Sequence, residues 1–171
     1  FKVMGLNIGD SLLDEGSVEA AGEIIEQAKS SRAELVLPTD IVVSSDFSEA
    51  GDVKTVLATD IPAGWQGLDI GEDSVGRYRE IIAGAEAIFW NGPMGVFEMD
   101  RFAQGTRAVG EAVVEATRGG AQSVVGGGDS VAALNQLGLA DGVSHVSTGG
   151  GASLEFMAGR VLPGVEALSD A

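Results

Sequence analysis

The chain has 171 residues and no cysteine, with 26 acidic against 10 basic residues and a formal net charge of −16. This length suffices for one domain with a buried core, and the lack of cysteine excludes disulfides and thiolate metal sites. The acidic balance argues against nucleic acid and anionic lipid as partners, and no apolar run is long enough to cross a membrane. The chain starts at Phe1 with no secretory leader, so we expect a cytoplasmic protein with sequence missing upstream.

The first half alternates apolar runs with a helical pattern, which predicts an α/β fold with a mostly parallel sheet. A helix is expected over residues 17–30, followed by a strand over 34–37 that stops at Pro38. Residues 41–43 and 54–58 predict a peripheral antiparallel ribbon. The predicted helix carries one apolar face, formed by Val18, Ala21, Ile25 and Ala28.

The middle of the chain is rich in turn residues. Residues 61–71 are expected to form a loop anchored by buried Trp65 and Leu68, and Ser74 is expected to cap the next helix. A strand over 87–90 then ends in an Asn-Gly-Pro turn. The spacing of Val109, Ala112, Val113 and Ala116 predicts a helix over 103–116.

Two similar units close the chain, and each reads as strand, glycine turn and helix. The first has a strand over 123–125, a turn at 126–130 and a helix from 131 to 134. The second has a strand over 145–148, a turn at 149–151 and a helix from 152 to 157. No linker interrupts this order, so the sequence predicts one domain over residues 1–171.

The glycine turns carry the main functional signal. In a parallel sheet they fall at the carboxyl ends of strands, where helix N-termini offer unpaired N–H groups to a phosphate. The alternative is that the glycines only form tight turns. A Walker A loop is excluded because no lysine stands beside a glycine turn, and the G-x-G-x-x-G pattern fails at Val131 and at Leu154.

Asp129 directly follows the first glycine triplet, and two roles are open to it. As a structural residue it caps the helix or interacts with the helix dipole. As a functional residue it binds Mg²⁺, which prefers one or two carboxylates together with phosphate oxygens. Ser130 is expected to cap the same helix, to donate to a phosphate oxygen, or to do both.

Several runs resemble phosphoglycerate kinases: 89–98 (FWNGPMGVFE), 125–130 (VGGGDS) and 144–155 (SHVSTGGGASLE), with weaker similarity at 37–40 and 64–71. The resemblance covers residues 1–168 in family order. It implies the C-terminal, nucleotide-binding domain, incomplete at its N-terminal side. The implied fold is a Rossmann-like three-layer sandwich with a mostly parallel sheet that lacks its first strands, plus a small antiparallel ribbon.

The resemblance also assigns roles in transfer of a phosphoryl group between 1,3-bisphosphoglycerate and Mg-ADP, which gives 3-phosphoglycerate and ATP. Adenine would be flanked by Gly67, Leu68 and Val96, with Phe47 as a further neighbour. The ribose and phosphate side would involve Glu98, Asn91 and Pro93. The α and β phosphates would meet Gly127, Gly128 and Ser130, with Mg²⁺ on Asp129, and Gly126 would also belong to the nucleotide site. Catalytic stabilisation would come from Gly127, Gly128, Gly150 and Gly151, while Ser147 and Thr148 would lie near a hinge.

In the family, the glycerate binds to an N-terminal domain, and a catalytic lysine and an arginine lie upstream of the segment that this chain resembles. We expect this chain to lack all three. We therefore expect the chain alone to be inactive and the intact enzyme to be a monomer. A non-catalytic nucleotide-binding or interaction module on the same fold is the alternative, because a fold does not determine a function. A nicotinamide dehydrogenase is a third hypothesis, against which the failed G-x-G-x-x-G pattern argues.

Overall fold

The structure is a computed structural model that describes residues 1–147 and 149–168. Contacts within the chain group it into two compact units. Unit 1 comprises residues 1–78 and 94–106, and unit 2 comprises residues 79–93 and the chain from 107 onward. Within the described residues, no helix is both long enough and apolar enough to span a bilayer.

Unit 1 contains a three-stranded antiparallel sheet. β1 (Asn7–Ile8) pairs in parallel with β4 (Asp60–Ile61) outside this sheet. In the sheet itself, β2 (Asp40–Ser44) lies between β3 (Val53–Leu57) and β5 (Gln66–Ile70) and runs antiparallel to both. The predicted antiparallel ribbon is therefore confirmed, with β2 and β3 as its two strands.

The expectation of a loop over residues 61–71 is wrong, because β5 occupies Gln66–Ile70. Gly67 lies opposite Val43 in this pairing, next to a register shift between Val42 and Val43. Three glycines and a proline made the segment look irregular, but the ladder with β2 supplies the backbone hydrogen bonds that make it a strand. Leu68 is buried as predicted.

Helix α1 (Val18–Ser30) matches the predicted first helix, but none of its residues is fully buried. The strand expected over residues 34–37 is absent from the described structure. Backbone groups near this segment bond to side chains instead of to a ladder: the Val36 carbonyl accepts from the Tyr78 hydroxyl at 3.4 Å, and Thr39 N–H donates to Ser74 Oγ at 2.9 Å. Apolar composition alone cannot reveal this difference.

Helix α2 (Glu72–Ala83) starts two residues before Ser74, so the prediction of Ser74 as its N-cap is wrong. Its first-turn N–H groups are capped from β2. The Asp40 carboxylate accepts from Ser74 N–H at 2.8 Å and from Asp73 N–H at 3.2 Å. A distant side chain thus performs the capping that a local serine was expected to perform.

The core of unit 1 packs around β2. Ile41, Val43, Ala58 and Ile61 are buried together, and the partly buried side chains packed on them are Phe1, Val56 and Trp65. Trp65 was expected to be buried, but its ring also carries the Lys54 ammonium 4.0 Å from the centroid. It is therefore a half-buried core residue with a cation–π contact.

Unit 2 contains a parallel sheet of order β6-β7-β8. The strands are β6 (Ala87–Asn91), β7 (Gln122–Gly126) and β8 (His145–Ser147). Three helices follow the patterns predicted for the second half: α3 (Gln104–Arg118), α4 (Gly128–Gln136) and α5 (Gly150–Met157). A further helix, α6 (Pro163–Glu166), was not predicted. This confirms the α/β class with parallel strands and a small antiparallel sheet; the predicted end of the last strand at Thr148 lies outside the described residues.

The core of unit 2 surrounds the middle strand. Val125 and Leu134 have no exposed surface, and Val113 is only 1% exposed. The helical face predicted for α3 is confirmed at Val109, Ala112 and Val113, which are all buried. This packing supports the carboxyl end of β7, where the first glycine triplet begins.

Candidate functional site

The three strands of the parallel sheet end at the same edge. Asn91 is in register with Gly126, and Gly126 is in register with Ser147. Parallel strands bring their carboxyl ends together, so the loops after β6, β7 and β8 leave from neighbouring points. We name residues 126–128 the first glycine corner and residues 149–151 the second glycine corner.

The first glycine corner requires glycine for its backbone conformation. Gly127 has φ +91° and ψ 138°, which side-chain-bearing residues rarely adopt, and it is the N-cap of α4. Val131 N–H makes the first bond back to Gly127 C=O, at 3.0 Å. The N–H groups of the first turn of α4 therefore remain for another acceptor.

The second glycine corner lies directly against the first. A Cβ added to Gly150 would stand 2.5 Å from both the Cα and the N of Gly127. Ser153 N–H bonds to Gly149 C=O at 2.9 Å, which leaves the first-turn N–H groups of α5 in the same situation. Two helix N-termini thus meet at one edge of the sheet, where their partial positive charges favour an anion.

Space remains over both corners. A Cβ placed on Gly128 or on Gly151 would meet no atom within 4 Å. The backbone beside these two glycines is therefore accessible within the described structure.

Asn91 and Ser130 lie next to the first glycine corner. A Cβ on Gly127 would stand 3.1 Å from Asn91 Oδ1, so the Asn91 amide lies beside this glycine. Ser130 is buried, and its Oγ accepts from Gly92 N–H at 2.5 Å. The Ser130 hydroxyl thus holds the turn after β6, and it does not act as the N-cap of α4.

Asp129 lies in the first turn of α4, and its side chain is exposed. It is not the N-cap, because Gly127 has that position and no side chain bonds there. Within the described residues, its carboxylate has no hydrogen bond or ion pair, and no group of three metal-ligating side chains occurs. A single free carboxylate beside an anion site fits Mg²⁺ shared with phosphate oxygens.

The residues expected around the nucleoside lie in unit 1, at β5 and the segment 94–98. Val96 N–H donates to Leu68 C=O at 2.9 Å, so these two predicted adenine neighbours are brought together. Gly67 N–H donates to Ser11 Oγ at 2.9 Å. Glu98 is exposed and Phe47 is 55% exposed, so both side chains are accessible.

The sequence interpretation missed two buried polar residues behind Val96. Thr106 has no exposed surface, and its Oγ1 accepts from Met94 N–H at 3.0 Å and from Gly95 N–H at 3.2 Å. Asp69 is 4% exposed, and burial raises the pKa of its carboxyl from 3.8 to about 6 although main-chain N–H groups bond to it. An aspartate in the middle of an apolar strand was the available signal, because charged side chains are seldom buried without a partner.

The remaining expectations concern the region after β8. Ser147 Oγ is 2.7 Å from Ser153 Oγ, which ties the end of β8 to the first turn of α5. Thr148, expected near a hinge together with Ser147, lies outside the described residues. Pro93 is half-buried at the end of the turn after β6.

Adjacent glycine corners at the carboxyl edge of a parallel sheet are typical of α/β proteins that bind phosphate groups. The family model described as phosphoglycerate kinase matches residues 1–160 of this chain. The chain therefore belongs to the phosphoglycerate kinase family.

Similar proteins agree with this family. The chain is 54% identical over 167 residues to a phosphoglycerate kinase of Chloroflexus aurantiacus, covering 98% of this chain and 42% of that relative. It is 49% identical to "Phosphoglycerate kinase 3, cytosolic" of Arabidopsis thaliana, covering all of this chain and 43% of that protein. The structure of phosphoglycerate kinase from Coxiella burnetii matches with a TM-score of 0.89 and 39% identity, over 96% of this chain and 42% of that one. The chain thus spans less than half the length of the curated relatives it matches.

Proposed function

We propose that this chain is the nucleotide-binding part of an enzyme that transfers a phosphoryl group between 1,3-bisphosphoglycerate and Mg-ADP, forming 3-phosphoglycerate and ATP. The family supports a kinase of glycolysis. The observation that carries the proposal is the 2.5 Å approach of an added Gly150 Cβ to the Gly127 backbone, because it brings two helix N-termini to one edge. We further propose that residues 1–171 act as one nucleotide-binding domain.

The phosphates are proposed to bind to backbone N–H groups. Residues 119–159 contain neither lysine nor arginine, so neither of these side chains is available in this stretch to neutralise a phosphate at the corners. The first-turn N–H groups of α4 and α5 carry partial positive charge that serves this purpose. Gly126, Gly127 and Gly128 would hold the ADP phosphates, with Ser130 and Asn91 supporting the turn beside them. Gly150 and Gly151 would stabilise the transferred group, together with Gly127 and Gly128.

Mg²⁺ is the proposed cofactor, and Asp129 is the residue that would hold it. When bound, Mg²⁺ neutralises charge on the phosphate oxygens of the nucleotide. The Asp129 carboxylate on its own would repel a phosphate at the helix N-terminus. The lack of a partner for that carboxylate in the part of the chain that the structure describes is therefore the structural reason to expect a cation there.

The nucleoside is proposed to bind to unit 1. Adenine is proposed to contact Gly67, Leu68 and Val96. The hydrogen bond between Val96 N–H and Leu68 C=O brings β5 and the segment 94–98 together. The exposed Glu98 carboxylate is free to accept hydrogen bonds from the ribose hydroxyls, and Phe47 and Pro93 are proposed as further neighbours.

Calorimetry with Mg-ADP tests this proposal. We expect the unsubstituted chain to bind Mg-ADP and the Asp129→Ala variant to bind it at least tenfold more weakly, because a charged ligand contact is lost. Asp141→Ala is the matched control, since it removes one exposed carboxylate of unit 2 away from the glycine corners. Equal affinities for the two variants would contradict the role of Asp129, and no binding by the unsubstituted chain would contradict the function.

We also propose that the chain by itself does not complete the reaction. The glycerate substrate is proposed to bind to a part of the enzyme absent from this chain. The intact enzyme is proposed to be a cytoplasmic monomer. Phosphoryl transfer needs charge neutralisation over three oxygens, and loss of one stabilising donor lowers the rate by about 10² to 10³. A single-turnover assay with 1,3-bisphosphoglycerate and Mg-ADP checks this. ATP formation by the chain alone would overturn it.

A further inference from the structure

Asp69 is a buried carboxylate to which the proposed function gives no role. It lies on β5 between Leu68 and Ile70, and it is 4% exposed. Its Oδ2 accepts from Gly105 N–H at 2.8 Å, and its Oδ1 accepts from Ile70 N–H at 2.8 Å. Gln104 N–H also faces it, so the start of α3 is capped by a side chain of β5.

Two glycines allow this carboxylate to approach the backbone. A Cβ on Gly95 would collide with Asp69 and would also stand 2.5 Å from the Phe102 carbonyl oxygen. A Cβ on Gly105 would collide with the same carboxylate. Neither glycine has a positive φ, so space and not backbone conformation requires glycine at these positions. Asp69 therefore packs closely against both Gly95 and Gly105, which lie at the two ends of the segment that carries Val96.

We propose that Asp69 is a positioning residue for nucleotide binding, which holds the segment 94–105 against β5 and thereby sets the position of Val96 relative to Leu68. The inference rests on the proposed function. The Leu68–Val96 hydrogen bond joins β5 to one end of this segment, and the Asp69–Gly105 hydrogen bond joins β5 to its other end. Without the carboxylate of Asp69, the segment loses the hydrogen bonds that this side chain accepts from it.

The ionised carboxylate is the form that does this. As a carboxylate, Asp69 accepts from Ile70, Gln104 and Gly105, and these main-chain N–H groups are the only partners that the structure gives it among the described residues. Protonation turns one oxygen into a donor that faces another donor, so a bond to α3 is lost. Burial raises the pKa of Asp69 to about 6, so this hydrogen bond to α3 should be lost as the pH falls through that value, although removal of the buried charge stabilises the fold as a whole.

The test measures binding of Mg-ADP and of pyrophosphate to the full chain, unsubstituted and with Asp69→Asn. We expect Asp69→Asn to lower the affinity for Mg-ADP about tenfold, since hydrogen bonds to a charged group are lost. Pyrophosphate should bind equally to both, because it lacks the nucleoside. Asp60→Asn is the matched control, since it makes the same chemical change at an exposed site of unit 1.

The pH profile separates positioning from a general loss of stability. The Mg-ADP affinity of the unsubstituted chain is divided by that of Asp69→Asn, which removes the effect of titrating the ligand itself. This ratio should fall towards one as the pH is lowered through about 6. If Asp69→Asn does not fold, the NMR amide shifts of Gly105 and Val96 in the unsubstituted chain should still titrate together near that pH. Shifts that do not change would overturn the inference.

The two proposals fail in different ways. If the unsubstituted chain binds Mg-ADP, and Asp69→Asn binds it equally well with the same pH profile, the positioning role of Asp69 is wrong and the proposed function stands. If the unsubstituted chain binds no Mg-ADP, both are wrong.

Discussion

Replacing Gly150 by alanine tests whether the two glycine corners must touch. The added Cβ would stand 2.5 Å from the Cα and the N of Gly127, whereas carbon atoms in contact are separated by about 3.5 Å or more. The two turns would have to separate by about 1 Å. Because both neighbouring atoms belong to backbone, no side-chain rotation can relieve the overlap.

We expect Gly150→Ala to lower the free energy of unfolding by about 1–3 kcal/mol, the usual cost of forcing a methyl group into a packed site. Gly150 has no positive φ, so the effect is steric. Gly76→Ala is the matched control: Gly76 is an exposed residue of α2, and a Cβ there meets no atom within 4 Å. That variant should be more stable by up to about 1 kcal/mol, because alanine favours a helix interior over glycine.

Urea unfolding and calorimetry with Mg-ADP measure the two consequences. Separation of the corners by about 1 Å should also weaken Mg-ADP binding at least tenfold, because the N–H groups would no longer converge on one phosphate group. Gly76→Ala should bind as the unsubstituted chain does. If Gly150→Ala matched that control in both stability and affinity, the close approach of the corners would be irrelevant and our reasoning wrong.

Three further predictions concern buried side chains, and urea unfolding measures each of them. Burial raises the pKa of Asp69, so the stability contributed by its neutral form is present below about pH 4 and is lost as the pH rises through about 6, an effect of about 3 kcal/mol. Asp69→Asn should lack this pH dependence. If the free energy of unfolding depended on pH equally in both chains, the raised pKa would be contradicted. Asp40→Ala should cost about 1–3 kcal/mol, because the N–H groups of Asp73 and Ser74 lose their acceptor; a loss below about 0.5 kcal/mol would argue against capping from β2. Leu134→Ala should cost about 2–5 kcal/mol, because Leu134 is completely buried; a smaller loss would mean that the core collapses around the cavity.

Local patterns were sufficient for the order of elements in the second half of the chain. Helix α3 was visible because Val109, Ala112 and Val113 repeat at helical spacing, and these residues are buried. The glycine triplets were visible because strand, glycine turn and helix each leave a signal within a few residues. Most of the candidate phosphate site could therefore be located from the sequence.

The first half was harder, because its backbone partners are distant in sequence. Residues 34–37 have strand composition, but nearby backbone groups bond to Tyr78 and Ser74. The strand β5 has turn composition, but it pairs with β2. In both cases the hydrogen-bond partner decides the structure, and the partner lies more than 20 residues away.

The amino-acid sequence by itself determined the α/β class, the family and the identity of the glycine corners, since these depend on residues close together in the chain. Only the tertiary structure decided that Gly150 packs on Gly127 and that Asp40 and Asp69 cap helices α2 and α3 from neighbouring strands. The physical reason is that a close backbone approach, or a cap supplied from 33 or 36 residues away, leaves no periodic signal. Such contacts exist only once the strands have paired.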